Sequence, residues 1–472
     1  MTDPRDDLDA WLEAQVQPLP PPPGTFELIR KRARRRKVTR AAVAAAGAVA
    51  VVTIIAAVPT LLIPRLQLSP GAQTGAQTGD TMSPSAGQRP ATPSTPAPAG
   101  TPAVALPPVP PHFEATSVTF IGTLTGWVIG QAGTPGHCPI IAQDCTSIAR
   151  TDDGGSTWYG VRAPVTGAPD GSAGVSQIRF LDRNDGWAFG PQLYATHDGG
   201  QTWTAVSTGG LRVTALEARG NQVFAIWAQC AGTGADFAAG CTSFSVYSAA
   251  AGSDTWAPVP GATAAAATSS ASSTSTAAAS PSGTASSASL LLTGSRGYLL
   301  TPSGDLISGP VSGQGGWQPL STAPAGTACS PGAPQPGGQP TGEMISATGP
   351  SGLVLLCAGQ ASGGSQRKTV YTSADGGATW RQAGTAPAAG RATSVAGTPS
   401  GVLVVATSLG IDVSADGGAT WAGAHGSLPP GGFAFAGMTT SAQGVAVPAD
   451  PAQDAVWFTV DGGQTWQASP IH

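Results

Sequence analysis

One eight-residue pattern recurs five times in the chain: Thr151-Asp-Asp-Gly-Gly-Ser-Thr-Trp158, Thr196-His-Asp-Gly-Gly-Gln-Thr-Trp203, Ser373-Ala-Asp-Gly-Gly-Ala-Thr-Trp380, Ser414-Ala-Asp-Gly-Gly-Ala-Thr-Trp421 and Thr459-Val-Asp-Gly-Gly-Gln-Thr-Trp466. The Asp carboxylate can accept nearby backbone N–H groups while two glycines take φ > 0 without steric cost, which closes a tight hairpin. The Trp after the turn can then bury its ring between neighbouring sheets. Asp153, Asp198, Asp375, Asp416 and Asp461, with Trp158, Trp203, Trp380, Trp421 and Trp466, therefore read as structural turn residues. Calcium is excluded at these aspartates, because one carboxylate per hairpin cannot supply the six to eight oxygens the ion takes.

Two degenerate copies, Gly252-Ser-Asp-Thr-Trp256 and Gly315-Gly-Trp317, fill the gap in the series. The seven tryptophans are then 45, 53, 61, 63, 41 and 45 residues apart, a period of blades or coils. Each unit carries strand signals. An alternating strand such as Ser117-Val-Thr-Phe-Ile121 or Gln177-Ile-Arg-Phe-Leu181 comes first. A second follows, as in Gly126-Trp-Val-Ile-Gly130, Gly186-Trp-Ala-Phe-Gly190, Gln222-Val-Phe-Ala-Ile-Trp227, Gly352-Leu-Val-Leu-Leu-Cys357 and Gly401-Val-Leu-Val-Val405. The third runs into the turn, and the Trp opens the fourth. The expected fold is all-β, a seven-bladed β-propeller over residues 112–472, with six or eight blades as alternatives; seven gives about 52 residues per blade.

The pattern resembles the Asp-box, or bacterial neuraminidase repeat, of β-propellers, over roughly residues 113–470. Gly-Trp second strands combined with Asp-Gly-Gly-x-Thr-Trp turns are most similar to propellers of the photosystem II assembly and stability factor type. Sialidases and xyloglucan-cleaving glycosidases share the box. The sialidase likeness implies three arginines, a Glu-activated Tyr and an acidic Asp. After Arg65 the chain offers only Glu114, Glu217 and Glu343, five tyrosines, and no Arg-Ile-Pro motif where the first blade begins.

In a four-stranded blade the turn joins strands three and four, so the loops between strands two and three, and the links between blades, emerge at the opposite end. All six cysteines fall there: Cys138 and Cys145 in blade 1, Cys230 and Cys241 in blade 3, Cys329 before blade 5 and Cys357 at the end of its second strand. Fifteen pairings are open; an oxidising exterior and proximity favour Cys138 with Cys145, Cys230 with Cys241, and Cys329 with Cys357. Stapled loops lower the ordering cost of binding, and the resemblance implies binding at this end. The candidate contacts are His137, Asp144, Asp236, Phe237, Arg367, Lys368 and Asp450. An Ala-, Ser- and Thr-rich insertion at 260–289 reads as disordered.

The first 111 residues are of another kind. Residues 1–40 read as a short cytoplasmic tail ending in a basic cluster, Arg30 to Arg40. The 23 uncharged residues of 41–63 would span roughly 34 Å as a helix, enough for a bilayer core of about 30 Å. By the positive-inside rule the remainder lies outside the membrane. A cleaved export signal is the alternative, since Arg35 and Arg36 form a twin arginine and the protein would then be secreted. Residues 64–111, rich in Pro, Thr, Ser and Ala, read as a disordered tether.

Beyond Arg65 twelve basic residues face twenty acids, a formal charge of −8 that argues against nucleic acid as a partner. There is no Gly-x-Ser-x-Gly elbow, no phosphate-binding loop and no metal-spaced pair among His112, His137, His197, His425 and His472, so no cofactor or metal is expected. The expected function is a membrane-anchored extracytoplasmic module that binds a protein, peptide or glycan without catalysis. A glycoside hydrolase and a one-pass sensor with a cytoplasmic partner are the alternatives.

Overall fold

The computed structural model describes residues 106–132, 145–231, 240–265, 288–312, 315–320 and 342–472. Among them lie seven antiparallel sheets, each made of four consecutive strands, and together they form a seven-bladed β-propeller. Blade 1 is Glu114–Phe120, Gly126–Ala132, Cys145–Thr151 and Tyr159–Val161, hydrogen-bonded in chain order. Blades 2 to 7 follow at 177–205, 212–265, 289–319, 342–386, 392–423 and 433–470. Blade 7 gains a fifth, parallel strand, His425–Gly426, which lies against Thr465 and Trp466. First strands of adjacent blades run side by side in the same direction: the Ile178 N–H donates to Ser117 Oγ and the Phe180 N–H to Thr119 Oγ1. Every loop between strands two and three therefore emerges at one end of the ring.

The five Asp-Gly-Gly turns share one hydrogen-bond scheme at the other end. In the turn at Asp375, Oδ1 accepts the Thr379 N–H at 2.9 Å and Oδ2 accepts the Thr379 hydroxyl at 2.6 Å. The Ser373 hydroxyl donates to Oδ1 and accepts the Gly377 N–H, both at 2.8 Å. The same contacts recur around Asp153, Asp198, Asp416 and Asp461. Both glycines sit in the left-handed region, at +72° and +89° for Gly376 and Gly377, which explains why no Cβ is carried there.

Between each pair of adjacent blades lies a separate apolar cluster, and each holds one repeat tryptophan. Trp203 packs between blades 1 and 2, Trp256 between 2 and 3, and Trp317 between 3 and 4. Trp380, Trp421 and Trp466 continue the series. Trp158 closes it, packing blade 1 on Val445, Val447 and Val456 of blade 7. Burial is unequal: Trp317 and Trp466 are buried, as is Trp158, while Trp203, Trp256, Trp380 and Trp421 are half-buried. Among the described residues the ring closes without an exchanged strand. Trp158 Nε1 donates to Ser469 Oγ at 3.1 Å, Gln443 Nε2 donates to the Thr123 carbonyl at 2.8 Å, and Phe120 meets Phe458 edge-on.

Three expected boundaries shift. The alanine-rich run is not all insertion: Ala257–Ala265 is the fourth strand of blade 3, held because Val259 and Ala262 are buried against Trp317. The second strand of blade 5 runs past Cys357, over Leu353–Ser362. Docking on the ring begins at Pro107, whose carbonyl accepts the Gly160 N–H at 2.9 Å, and Val109 is buried. The expected membrane helix at 41–63 lies outside the described residues, and among those described no helix is long and apolar enough to cross a membrane.

Candidate functional site

The loop end of the ring carries one of the three expected staples. Cys230 is disulfide-bonded to Cys241 where the second and third strands of blade 3 meet. Cys145 and Cys357 are also in disulfides; the partners expected for them, Cys138 and Cys329, lie outside the described residues. So do His137, Asp144, Asp236 and Phe237. Of the remaining candidate contacts, Arg367 is exposed on the hairpin of blade 5. Asp450 is exposed too, but its carboxylate caps a short 3₁₀ turn, accepting the Ala452 N–H and the Gln453 amide.

Lys368 is a correction. It was expected on the surface beside Arg367, yet it is fully buried, and its ammonium donates to the carbonyls of Ala389 and Gly390 at 2.7 and 2.8 Å. The strand Ser365–Ser373 explains the reversal: alternation turns Gln366 and Lys368 inward and Arg367 out. Burial lowers the Lys368 pKa, and the charge of Asp412 opposes that. Asp412, on the third strand of blade 6, is pushed by burial up to about 6 against the pull of Lys368, and its Oδ2 is buried without a hydrogen-bond partner.

A carboxylate pair lies at the same end. Glu343 is the second residue of the first strand of blade 5, Gly342–Ala347, and Asp305 sits in the loop between the second and third strands of blade 4. Burial, together with the negative charge of Asp305, raises Glu343 to about 7. Gly304 makes room for it: a Cβ there would stand 2.7 Å from both Glu343 oxygens. On the innermost strands of blades 2 and 3, Arg179 and Glu217 form an ion pair at 2.9 Å.

At the turn end, His197 bridges two blades, with Nδ1 2.7 Å from Asp185 and Nε2 3.5 Å from Asp254 of the degenerate blade 3 turn. Burial works against protonation there, but the two carboxylates prevail and the pKa is raised. Beside it Asp152 accepts from Arg150, Thr125 and Tyr159, and the phenol of Tyr159 is pushed by burial and by Asp152 up to about 12.

These groups fix the sign of the pH dependence. Glu343 and Asp412 bind protons more tightly folded than unfolded, so their contribution to stability falls as pH rises from about 4 to 7. His197, also raised, adds stability that is complete below its unfolded pKa and lost as pH rises through the folded value. The turn aspartates act oppositely. The Thr hydroxyl and N–H hold Asp198, Asp375 and Asp416 at about 2, so their contribution is intact above about pH 4 and lost as pH falls toward 2. Thermal unfolding between pH 3 and 8 should show a maximum near pH 4–5. A maximum at pH 8 would contradict these environments.

Sequence reasoning placed the turns and the Cys230–Cys241 staple but missed the pairs that cross between blades. For Arg179 a signal existed: it alternates with Ile178 and Phe180, which are buried against blade 1, and so turns to the opposite face, toward blade 3. Asp305, Glu343 and Asp412 carry none, because blade packing alone brings each to its neighbour.

No family model and no curated protein matches the chain. Among solved structures it is similar to YCF48 bound to D1 peptide, at 16% identity and a TM-score of 0.43, covering 76% of this chain and 97% of that one. YCF48 from Cyanidioschyzon merolae is similar at 15% identity and a TM-score of 0.40, over 62% of this chain and 84% of that one. The GH74 xyloglucanase from Xanthomonas campestris follows at 14% identity and a TM-score of 0.25, covering 75% and 72%. At these levels no function passes from them to this chain, whose seven-bladed ring stands on its own sheets.

Proposed function

We propose that the chain is a membrane-anchored, extracytoplasmic Asp-box propeller that binds a protein, peptide or glycan at its disulfide-stapled end and performs no chemistry on it. The observation that carries the reading is the concentration of disulfide-bonded cysteines of three blades, Cys145, Cys230, Cys241 and Cys357, at the end from which the loops emerge. Loops fixed in advance lose less freedom when a partner docks. The family reading is supported by the five turns with one hydrogen-bond scheme. The anchor rests on the basic cluster followed by 23 uncharged residues.

A photo-crosslinking residue placed at Arg367 in the full chain, in membranes, should capture a partner that the same residue at Thr379, on a turn, does not. Equal capture at both positions would count against this end. The full-length chain should pellet with membranes until detergent releases it; a shortened form found only in the medium would remove the anchor.

A second reading, a glycoside hydrolase, is favoured by Asp305 and Glu343. A carboxyl raised to about 7 is protonated enough at neutral pH to serve as a general acid, with a second carboxylate beside it. Polysaccharide cleavage by the purified chain that disappears in Glu343→Gln would establish it. Absence of cleavage across plant and bacterial glycans leaves the binding reading in place.

A further inference from the structure

The turn of blade 3 lacks the parts that close the complete turns. Counted back from Trp256, the place of the turn aspartate is held by Ala251 and that of the second glycine by Ser253; only Gly252, at φ +73°, keeps the backbone of its counterparts. No turn carboxylate therefore ties the Thr255 N–H, which donates to Ser253 Oγ at 3.2 Å instead. The backbone of the turn is held by the Ala251 N–H on the Asn221 carbonyl and the Ser253 N–H on the Ala250 carbonyl.

What this turn has instead is a contact to the neighbouring blade. The Oδ1 of Asp254 lies 3.5 Å from His197 Nε2 of blade 2. Asp185, on the first hairpin of blade 2, stands 2.7 Å from His197 Nδ1, and its carboxylate also borders Gly252, where a Cβ would come 4.0 Å from it. One imidazole thus sits between a carboxylate of its own blade and a carboxylate of the turn that has lost its box. Both ring nitrogens face acceptors, and a neutral ring has only one N–H. Asp185, at the shorter distance, takes that proton, which turns the Nε2 lone pair on the Asp254 carboxylate. Protonation of the ring supplies the second donor and replaces this repulsion with an ion pair.

We infer that His197 is a proton-operated latch on the turn of blade 3: the imidazolium joins Asp185 to Asp254 and holds the turn on blade 2, and the neutral ring releases Asp254, so that residues 251–256 open locally while the propeller stays folded. Burial opposes the charge on His197, but the two carboxylates outweigh it and raise its pKa. In the open turn the imidazole regains its ordinary value of 6.5, so closure is complete below about pH 6.5 and is lost as the pH rises through the higher closed-state value. The other charged groups of the surrounding elements are engaged elsewhere: Asp198 with Thr196 and Thr202, Asp182 with the N–H groups of Asn184 and Asp185, and Arg183 with Thr125. Arg219, on the hairpin that holds the blade 3 turn, donates to the Gly294 carbonyl. Opening uncovers Trp256, whose half-buried ring packs on Trp227. The latch lies at the turn end, so it stands independently of the partner surface proposed above.

Amide hydrogen exchange of residues 250–256 in the full-length chain, corrected for the chemical exchange rate at each pH, reads this opening. From pH 5.5 to 8.5 opening should rise about two- to fivefold, the range of partly exposed ion pairs. The turn at 373–379 should not change over the same interval, because Asp375 is held at about 2. His197→Ala, which installs the residue that the turns at Asp375 and Asp416 carry in that place, should leave residues 250–256 as open at pH 5.5 as at pH 8.5. Asp254→Asn should keep them closed at pH 8.5, because its amide donates to the neutral Nε2. Wild-type opening that is the same at both pH values would overturn the latch. A rise with pH that persists in either variant, or that appears equally in the turn at 373–379, would do the same.

Discussion

Trp466→Ala should destabilise the ring by about 3–5 kcal/mol, the usual range for deleting a fully buried aromatic side chain. Trp466 is fully buried; it packs with Phe433 and Trp457 of its own blade and with Ala396 and Val404 of blade 6. Its Nε1 donates to the Gly463 carbonyl at 2.8 Å, so the substitution also leaves a buried acceptor unpaired. Trp203 occupies the same position of the repeat but is half-buried, its ring set edge-on to Phe180 at 6.2 Å. Trp203→Ala should therefore lose about half as much or less, in proportion to the apolar area involved. Urea unfolding of both variants, with unchanged m-values, measures the difference. Equal losses would mean that the motif matters apart from its burial.

Lys368→Met should cost about 3 kcal/mol at pH 8, although the replacement is apolar and similar in length. It strands the carbonyls of Ala389 and Gly390 and leaves Asp412 without the one positive charge that offsets its burial. The loss should shrink below about pH 6, where Asp412 takes up a proton. Adding Asp412→Asn should recover part of it at pH 8, a coupling that a double-mutant cycle reads directly. A loss below about 1 kcal/mol, flat from pH 5 to 8, would show the buried ammonium to be dispensable.

What could be read in advance divides along the range of the interactions. The turn at Asp375 is written in residues 373–379, because the hydrogen bonds of its Asp and Ser side chains close within that span; five copies made it legible and fixed the blade period. The order of strands followed from it. Lys368 shows where reading stopped: the segment around it looked like loop, and only its place in a long strand decides that Arg367 points out and Lys368 in. Ala257–Ala265 went astray for a related reason, since an alanine-rich composition says little about a strand whose stability comes from its neighbours, Phe244 and Trp317.

The closure of the ring bears on how the molecule would respond to a pull. Blades 7 and 1 meet through side chains, Trp158 on Ser469 and Gln443 on Thr123, with no strand shared between them among the described residues. The chain enters the ring beside that joint, with Pro107 hydrogen-bonded to Gly160 of the outermost strand of blade 1. Tension arriving from the N-terminal side meets the Pro107–Gly160 hydrogen bond and the buried Val109 first, and passes from there into the innermost strand of blade 1, Glu114–Phe120, which adjoins the joint that side chains close.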